Sequence, residues 1–113
     1  ERGLTIVHPY DDLAVAAGQG TVALEMLAQQ PAIDTLLVAV GGGGLVTGVA
    51  TAAAGVKPGT QVFGVQTERF PAVWNAVRGE HRESAQATIA DGIAVKAPGQ
   101  QLLPLIRERV ADM

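Results

Sequence analysis

Cysteine is absent from the 113 residues. Its absence removes three possibilities together: a disulfide framework, a thiolate zinc site and a cysteine nucleophile. An excess of positive charge is missing as well. Eight Lys and Arg are scattered among eleven Asp and Glu, for a net charge of −3. Nucleic acid calls for a basic stripe, so that partner is not expected. No apolar run reaches the ~18 residues of a membrane span, so no membrane partner is expected either. Glu1-Arg2-Gly3-Leu4-Thr5 is followed by no signal-type h-region, and a cytoplasmic protein is expected. Internal repeats and low-complexity linkers are also lacking. Aromatic residues are only 4% of the chain, while alanine, valine and leucine dominate. That balance belongs to an α/β layer structure with small-residue helix contacts. What is present, 48% apolar and 17% charged residues, specifies a folded chain with one core.

Several local patterns set the order of elements. Leu4–Val7 is a short β-type run that stops at His8-Pro9, where proline disfavours helical geometry at the preceding residue. A strand so near residue 1 suggests a parent chain that continues upstream. His8 has no partner at ligand spacing and is read as a turn residue rather than a catalytic base. Asp11-Asp12 precede the helical segment Leu13–Ala17, and capping of its positive end is the expected role, rather than metal binding. Gly18-Gln19-Gly20 interrupts the pattern, so Thr21 is expected to cap a second helix, Val22–Gln30. Glu25 falls on its solvated face.

Leu36–Val40 reads as a buried, parallel strand. It runs into Gly41-Gly42-Gly43-Gly44, and Leu45–Ala54 then predicts a helix nearly bare of side chains, with Gly55 at its C′ position. Lys57–Thr60 is a turn and Gln61–Gln66 the next strand, which completes a βαβ crossover. A short helix over Pro71–Val77 is expected to hold Trp74 against the core, followed by a charged, exposed loop. Asp91-Gly92, between apolar residues, suggests a hairpin by the turn rule. Gln101–Val110 predicts a last helix, with Pro104 blurring its start.

The four glycines carry the chemistry. Without Cβ atoms, successive N–H groups can point into one space at close range. The N-terminal N–H groups of the following helix face the same space, and phosphate is the usual occupant of such a site. Nucleotide fingerprints fail, however. G-x-G-x-x-G would need glycine at Val46 or Thr47, and no Gly-Lys-Ser/Thr follows. A flexible linker is the bland alternative, but linkers do not join a buried strand to a helix.

His8-Pro9-Tyr10-Asp11-Asp12, Ala17-Gly18-Gln19-Gly20-Thr21, Val40–Leu45 and Thr88-Ile89-Ala90-Asp91-Gly92-Ile93-Ala94-Val95-Lys96 occur in this order. Together they resemble the pyridoxal-phosphate-dependent threonine dehydratases (threonine ammonia-lyases), with serine dehydratases and serine racemases as close relatives. The resemblance covers nearly the whole chain. It implies fold type II, the tryptophan-synthase-β-like architecture: α/β, three-layered, with a mostly parallel sheet and flanking helices. It also implies pyridoxal 5'-phosphate as cofactor, with Gly41, Gly42, Gly43, Gly44 and Leu45 wrapping the phosphate. The parent reaction would convert L-threonine to 2-oxobutanoate and ammonia, or L-serine to pyruvate and ammonia, in a homo-oligomer.

Departures from the family pattern limit that implication. The lysine that forms the Schiff base lies, in the family, far upstream of the His-Pro segment, and Lys57 and Lys96 have the wrong context for it. The upstream asparagine and the downstream serine or cysteine that contact the ring are absent too. Some members place a divalent-metal glutamate after the glycine helix, where this chain has Gln66-Thr67, so no metal is expected. Residues 1–113 are accordingly expected to be a single partial domain, the core of the phosphate-binding domain, with no catalytic residue and no activity alone. Two alternatives stay open: a non-catalytic phosphate-ligand or protein-interaction module, and a serine racemase or other fold type II lyase. Replacing Gly43 by valine is expected to abolish phosphate binding and leave the fold mostly intact.

Overall fold

The computed structural model describes residues 3–113; the pair Glu1-Arg2 lies outside the described residues. Four α-helices and two strands follow one another as α1 (Leu13–Gln29), β1 (Thr35–Ala39), α2 (Gly44–Val56), β2 (Gln61–Val65), α3 (Ala72–Arg78) and α4 (Leu103–Arg109). β1 and β2 are parallel, in register from Thr35 opposite Gln61 to Ala39 opposite Val65. α2 is the crossover between them, as the strand–glycine–helix–strand pattern requires. The far edge of β2 is taken by the chain's end: the Ala111 N–H donates to Val62 O (2.7 Å) and the Gly64 N–H to Asp112 O (2.9 Å).

Period-two burial decides which face of the sheet is covered. Leu36, Val38, Val40 and Val62 are buried together with Val46, Val49, Ala50 and Ala53 of α2 and Ile106 of α4. On the opposite face Leu37 is 73% exposed and Val65 56% exposed. The architecture is thus α/β, with a parallel sheet and flanking helices, and within this chain the helices flank one face only. Small residues let the next layer approach closely. A Cβ on Gly48 would lie 2.0 Å from Ala16 O, and one on Gly20 would lie 2.8 Å from Gly48 O. α1 and α2 therefore cross backbone to backbone.

That crossing corrects one expectation. Residues 13–29 form a single helix instead of two, with Gly18 and Gly20 inside it. Thr21 does not cap; its Oγ1 donates to Gly18 O one turn back (2.8 Å). The helix loses propensity at both glycines, and the close contact at Gly20 outweighs that loss. Asp12 is the N-cap, its Oδ1 accepting from Ala14 N (2.7 Å) and Val15 N (3.1 Å).

Four further expectations change. Leu4–Val7 forms no strand, because among the described residues no strand lies beside it. Gly55 is inside α2 rather than after it, and Lys57 is the C-cap, donating its N–H to Ala53 O. Asp91–Ile93 is a single 3-10 turn and not a hairpin. Gly92 keeps a negative φ, so the primed turn of a two-residue hairpin is not made. Finally, the last helix starts at Leu103, with Pro104 in its first turn, where a missing N–H costs nothing. The strand limits differ from the expected ones by a residue, and Trp74 is partly buried at the rim rather than enclosed. No helix among the described residues is long and apolar enough to cross a membrane.

Candidate phosphate site

The C-terminal ends of β1 and β2 lie side by side, and the glycine loop leaves the sheet there to start α2. Register places Gly41 just beyond the β1–β2 pairing and beside Gln66, because Val40 N–H still donates to Val65 O (2.9 Å). Two glycines are required outright. Gly43 has φ +107°, a left-handed conformation that side chains resist, and a Cβ there would lie 2.9 Å from Ile106 Cδ1. At Gly42 a Cβ would fall 2.2–2.4 Å from three ring atoms of Tyr10. The valine replacement at Gly43 therefore fails as a clean probe: it strains the backbone and crowds the Ile106 side chain.

Three carbonyls of the loop are tied down by donors from three different directions. Gln66 Nε2 donates to Gly41 O (3.0 Å). The Gly99 N–H donates to Gly42 O (2.9 Å). Thr47 donates to Gly43 O twice, from its N–H (3.0 Å) and from its buried Oγ1 (2.7 Å). In a planar trans peptide the carbonyl and the next N–H point opposite ways. Fixing these three oxygens consequently turns the N–H groups of Gly42, Gly43 and Gly44 away from the donors. Among the described residues none of those N–H groups, nor that of Leu45, has an acceptor. They are joined by the positive end of the 13-residue helix α2.

The cavity at the loop has a volume of about 300 Å³, and its lining includes Tyr10, Gln19, Gly92, Ile93 and Val95. Among the described residues no Asp or Glu lines it, so a doubly charged anion would meet no like charge from them. Among the described residues no Lys or Arg lines it either, so neutral N–H donors and a helix dipole are what this chain presents there. This donor set fits a phosphate ester.

The walls are built by long-range contacts. His8 Nδ1 accepts from Tyr10 N (3.3 Å) and Asp11 N (2.9 Å), which makes it the turn residue the sequence implies. Tyr10 stacks edge-on with His8 at 4.6 Å and donates its OH to Ala97 O (3.1 Å). Asp11 accepts from Gln101 N at Oδ1 (2.9 Å), and Gln101 Nε2 returns a bond to Asp11 O (2.9 Å). Residues 8–12 and 97–101 thereby clasp the loop from both ends of the sequence.

Of the five residues expected to bind the cofactor, Gly41–Gly44 and Leu45 all line the cavity; Leu45 offers its N–H while its side chain is 37% exposed. Lys57 is remote. It ends α2, about 20 Å from the loop at 1.5 Å per residue, and its Nζ donates to Pro31 O and Ile33 O. Lys96 is exposed beside Pro98 and outside the cavity wall. Tyr10, Thr47, Gln66 and Gly99 were not among the expected site residues. Thr47 was findable, four residues after Gly43 and one helical turn on. Gln66 was findable from strand register. Tyr10 and Gly99 required the fold.

Comparison with known proteins identifies the family. The family described as "Pyridoxal-phosphate dependent enzyme" matches residues 1–113. An L-threonine ammonia-lyase of Geobacter sulfurreducens is 43% identical over 115 residues, covering 100% of this chain and 29% of its own length. A catabolic L-threonine dehydratase of Staphylococcus aureus is 44% identical, covering 99% of this chain and 33% of its own length. The chain thus spans about a third of these relatives. Among solved structures, a threonine deaminase from T.th. superposes with a TM-score of 0.87 at 40% identity, over 96% of this chain and 41% of that one. Maize serine racemase gives 0.85 at 33% identity, over 97% and 35%. The chain belongs to the pyridoxal-phosphate dependent enzymes of fold type II, among relatives that include the threonine ammonia-lyases.

Proposed function

We propose that this chain is the phosphate-anchoring core of the cofactor domain of a hydroxy-amino-acid dehydratase acting on L-threonine or L-serine. The observation that carries the reading is the set of tied carbonyls at Gly41, Gly42 and Gly43, which leaves the N–H groups of Gly42, Gly43 and Gly44 without an acceptor among the described residues, beside the open first-turn N–H of Leu45. Dehydration is the reading supported by the ammonia-lyase and dehydratase relatives at 42–44% identity; among the solved structures the threonine deaminases stand at 40% and 33%, beside serine racemases at 33–34%. The site residues proposed for the phosphate are Gly41, Gly42, Gly43, Gly44 and Leu45, with Tyr10 closing the wall beside them. When bound, pyridoxal phosphate supplies an electron sink for carbanion chemistry. The part of this chain is to hold the phosphate and fix the cofactor's position. The lysine that links the cofactor is contributed by residues outside this chain, and a cytoplasmic, homo-oligomeric parent belongs to the same proposal.

The test is direct. With pyridoxal phosphate and either threonine or serine, the isolated chain is expected to release no 2-oxobutanoate or pyruvate. Borohydride reduction is expected to leave no stoichiometric adduct at Lys57 or Lys96. Turnover, or a stoichiometric adduct at either lysine, would overturn the assignment of the chain as anchor alone.

A further inference from the structure

Gln66 directly follows β2. Its amide is shared between two elements: Nε2 donates to Gly41 O (3.0 Å) and Oε1 accepts from Trp74 N (2.7 Å). Trp74 is the third residue of α3, and Pro71 at the N-cap of that helix makes no side-chain cap. The side-chain oxygen of Gln66 therefore serves as the cap of α3 from a distance. Its nitrogen does a different job, holding the first carbonyl of the glycine loop. Only a side chain with one acceptor and one donor at its tip satisfies both partners. An ionised glutamate of the same shape has acceptors only.

We infer that Gln66 is the positioning residue of the phosphate loop: by fixing Gly41 O it turns the Gly42 N–H toward the anion. The other two loop carbonyls have their own donors in Gly99 and Thr47, so the Gly41–Gly42 peptide plane is the one that depends on a side chain of β2's end. Gln66 touches no phosphate itself. This inference rests on the anchor reading above, and it separates the two functions of one amide. Gln66→Glu keeps the acceptor for Trp74 N and so keeps α3 capped. It removes the donor to Gly41 O and sets a carboxylate against that carbonyl, so the peptide plane rotates and one phosphate donor is lost.

The experiment uses the full chain as wild type, Gln66→Glu and Gln66→Met, the last removing both bonds at similar volume. Inorganic phosphate is titrated by calorimetry. In parallel, without phosphate, the Gly41 carbonyl carbon shift and the Gly42 amide exchange rate are read by NMR, and the fluorescence of Trp74, the single tryptophan, reports on α3. Gln66→Glu is expected to weaken phosphate binding on the order of tenfold, the worth of one hydrogen bond to an ion. It should also shift the Gly41 carbonyl and speed Gly42 exchange, with the Trp74 emission unchanged. Gln66→Met should alter all four readouts. Phosphate affinity within twofold of wild type in Gln66→Glu, with the Gly41 carbonyl unmoved, overturns the inference. Absence of phosphate binding in the wild type overturns the anchor reading instead; the carbonyl shift and amide exchange, which need no ligand, then decide on their own whether Gln66 sets the peptide plane.

Discussion

Gly42 and Tyr10 share a space that only one of them can fill. A methyl group at position 42 would stand 2.2–2.4 Å from the tyrosine ring, so Gly42→Ala pushes Tyr10 out of the cavity wall. The expected cost is about 1–3 kcal/mol, the usual range for overpacking. Tyr10→Ala removes the ring, and the double variant should recover most of that loss in denaturant unfolding. Simple additivity of the two single changes would contradict the contact. Thr47 is the second residue-scale test. Its buried Oγ1 bonds Gly43 O (2.7 Å), and Thr47→Val should cost about 1 kcal/mol of stability. At this scale the sequence was legible where a residue acts on near neighbours: Asp12 as cap, His8 as turn, the glycines as the loop that leads from β1 into α2. It was opaque where a side chain acts across the fold. Nothing near position 10 says that its ring will rest on a glycine 32 positions away, and nothing near Gly99 says that its N–H will hold Gly42 O.

Elements were legible where hydrophobic period and punctuation agree, as in β1, α2 and β2, and misread where a glycine has two possible meanings. Gly18 and Gly20 look alike in sequence and differ completely in place. A Cβ at Gly18 meets nothing within 4 Å, whereas one at Gly20 meets Gly48 O at 2.8 Å. Gly18→Ala should therefore stabilise the protein by about 0.5–1 kcal/mol through helix propensity, visible as a raised melting temperature. Gly20→Ala should lower it. Gly48→Ala, with its Cβ 2.0 Å from Ala16 O, should abolish the native near-ultraviolet signal, since neither helix backbone can yield that far. If all three alanines behave alike, the crossing of α1 and α2 is not what joins residues 13–29 into one helix. Asp91-Gly92 failed as a hairpin for the complementary reason: the turn chemistry was present, but the flanking residues had no sheet to join.

The whole molecule is α/β with one face of its sheet covered and Leu37 and Val65 on the other left open. The chain spans about a third of its relatives' length, and the uncovered face is consistent with a body built to be packed against. The isolated chain is expected to self-associate, because an open apolar sheet face is a surface for association. Leu37→Lys, at a position 73% exposed, is expected to raise solubility and lower the sedimentation coefficient at high concentration without lowering the melting temperature. An unchanged sedimentation profile would mean the face is not self-adhesive. Fold class was legible at this scale from composition and from the βαβ unit alone; the bare face was not, since alternation in a strand says which residues face in and not what covers the residues facing out.

The central claim is that the amides of Gly42, Gly43, Gly44 and Leu45 hold a phosphate. The most direct measurement is a ¹⁵N-resolved amide titration of the chain with pyridoxal phosphate, run beside pyridoxal, which lacks the phosphate. Saturable shifts are expected at those four amides with pyridoxal phosphate and none there with pyridoxal. Equal shifts with both ligands, or shifts confined to residues outside the loop, would contradict it.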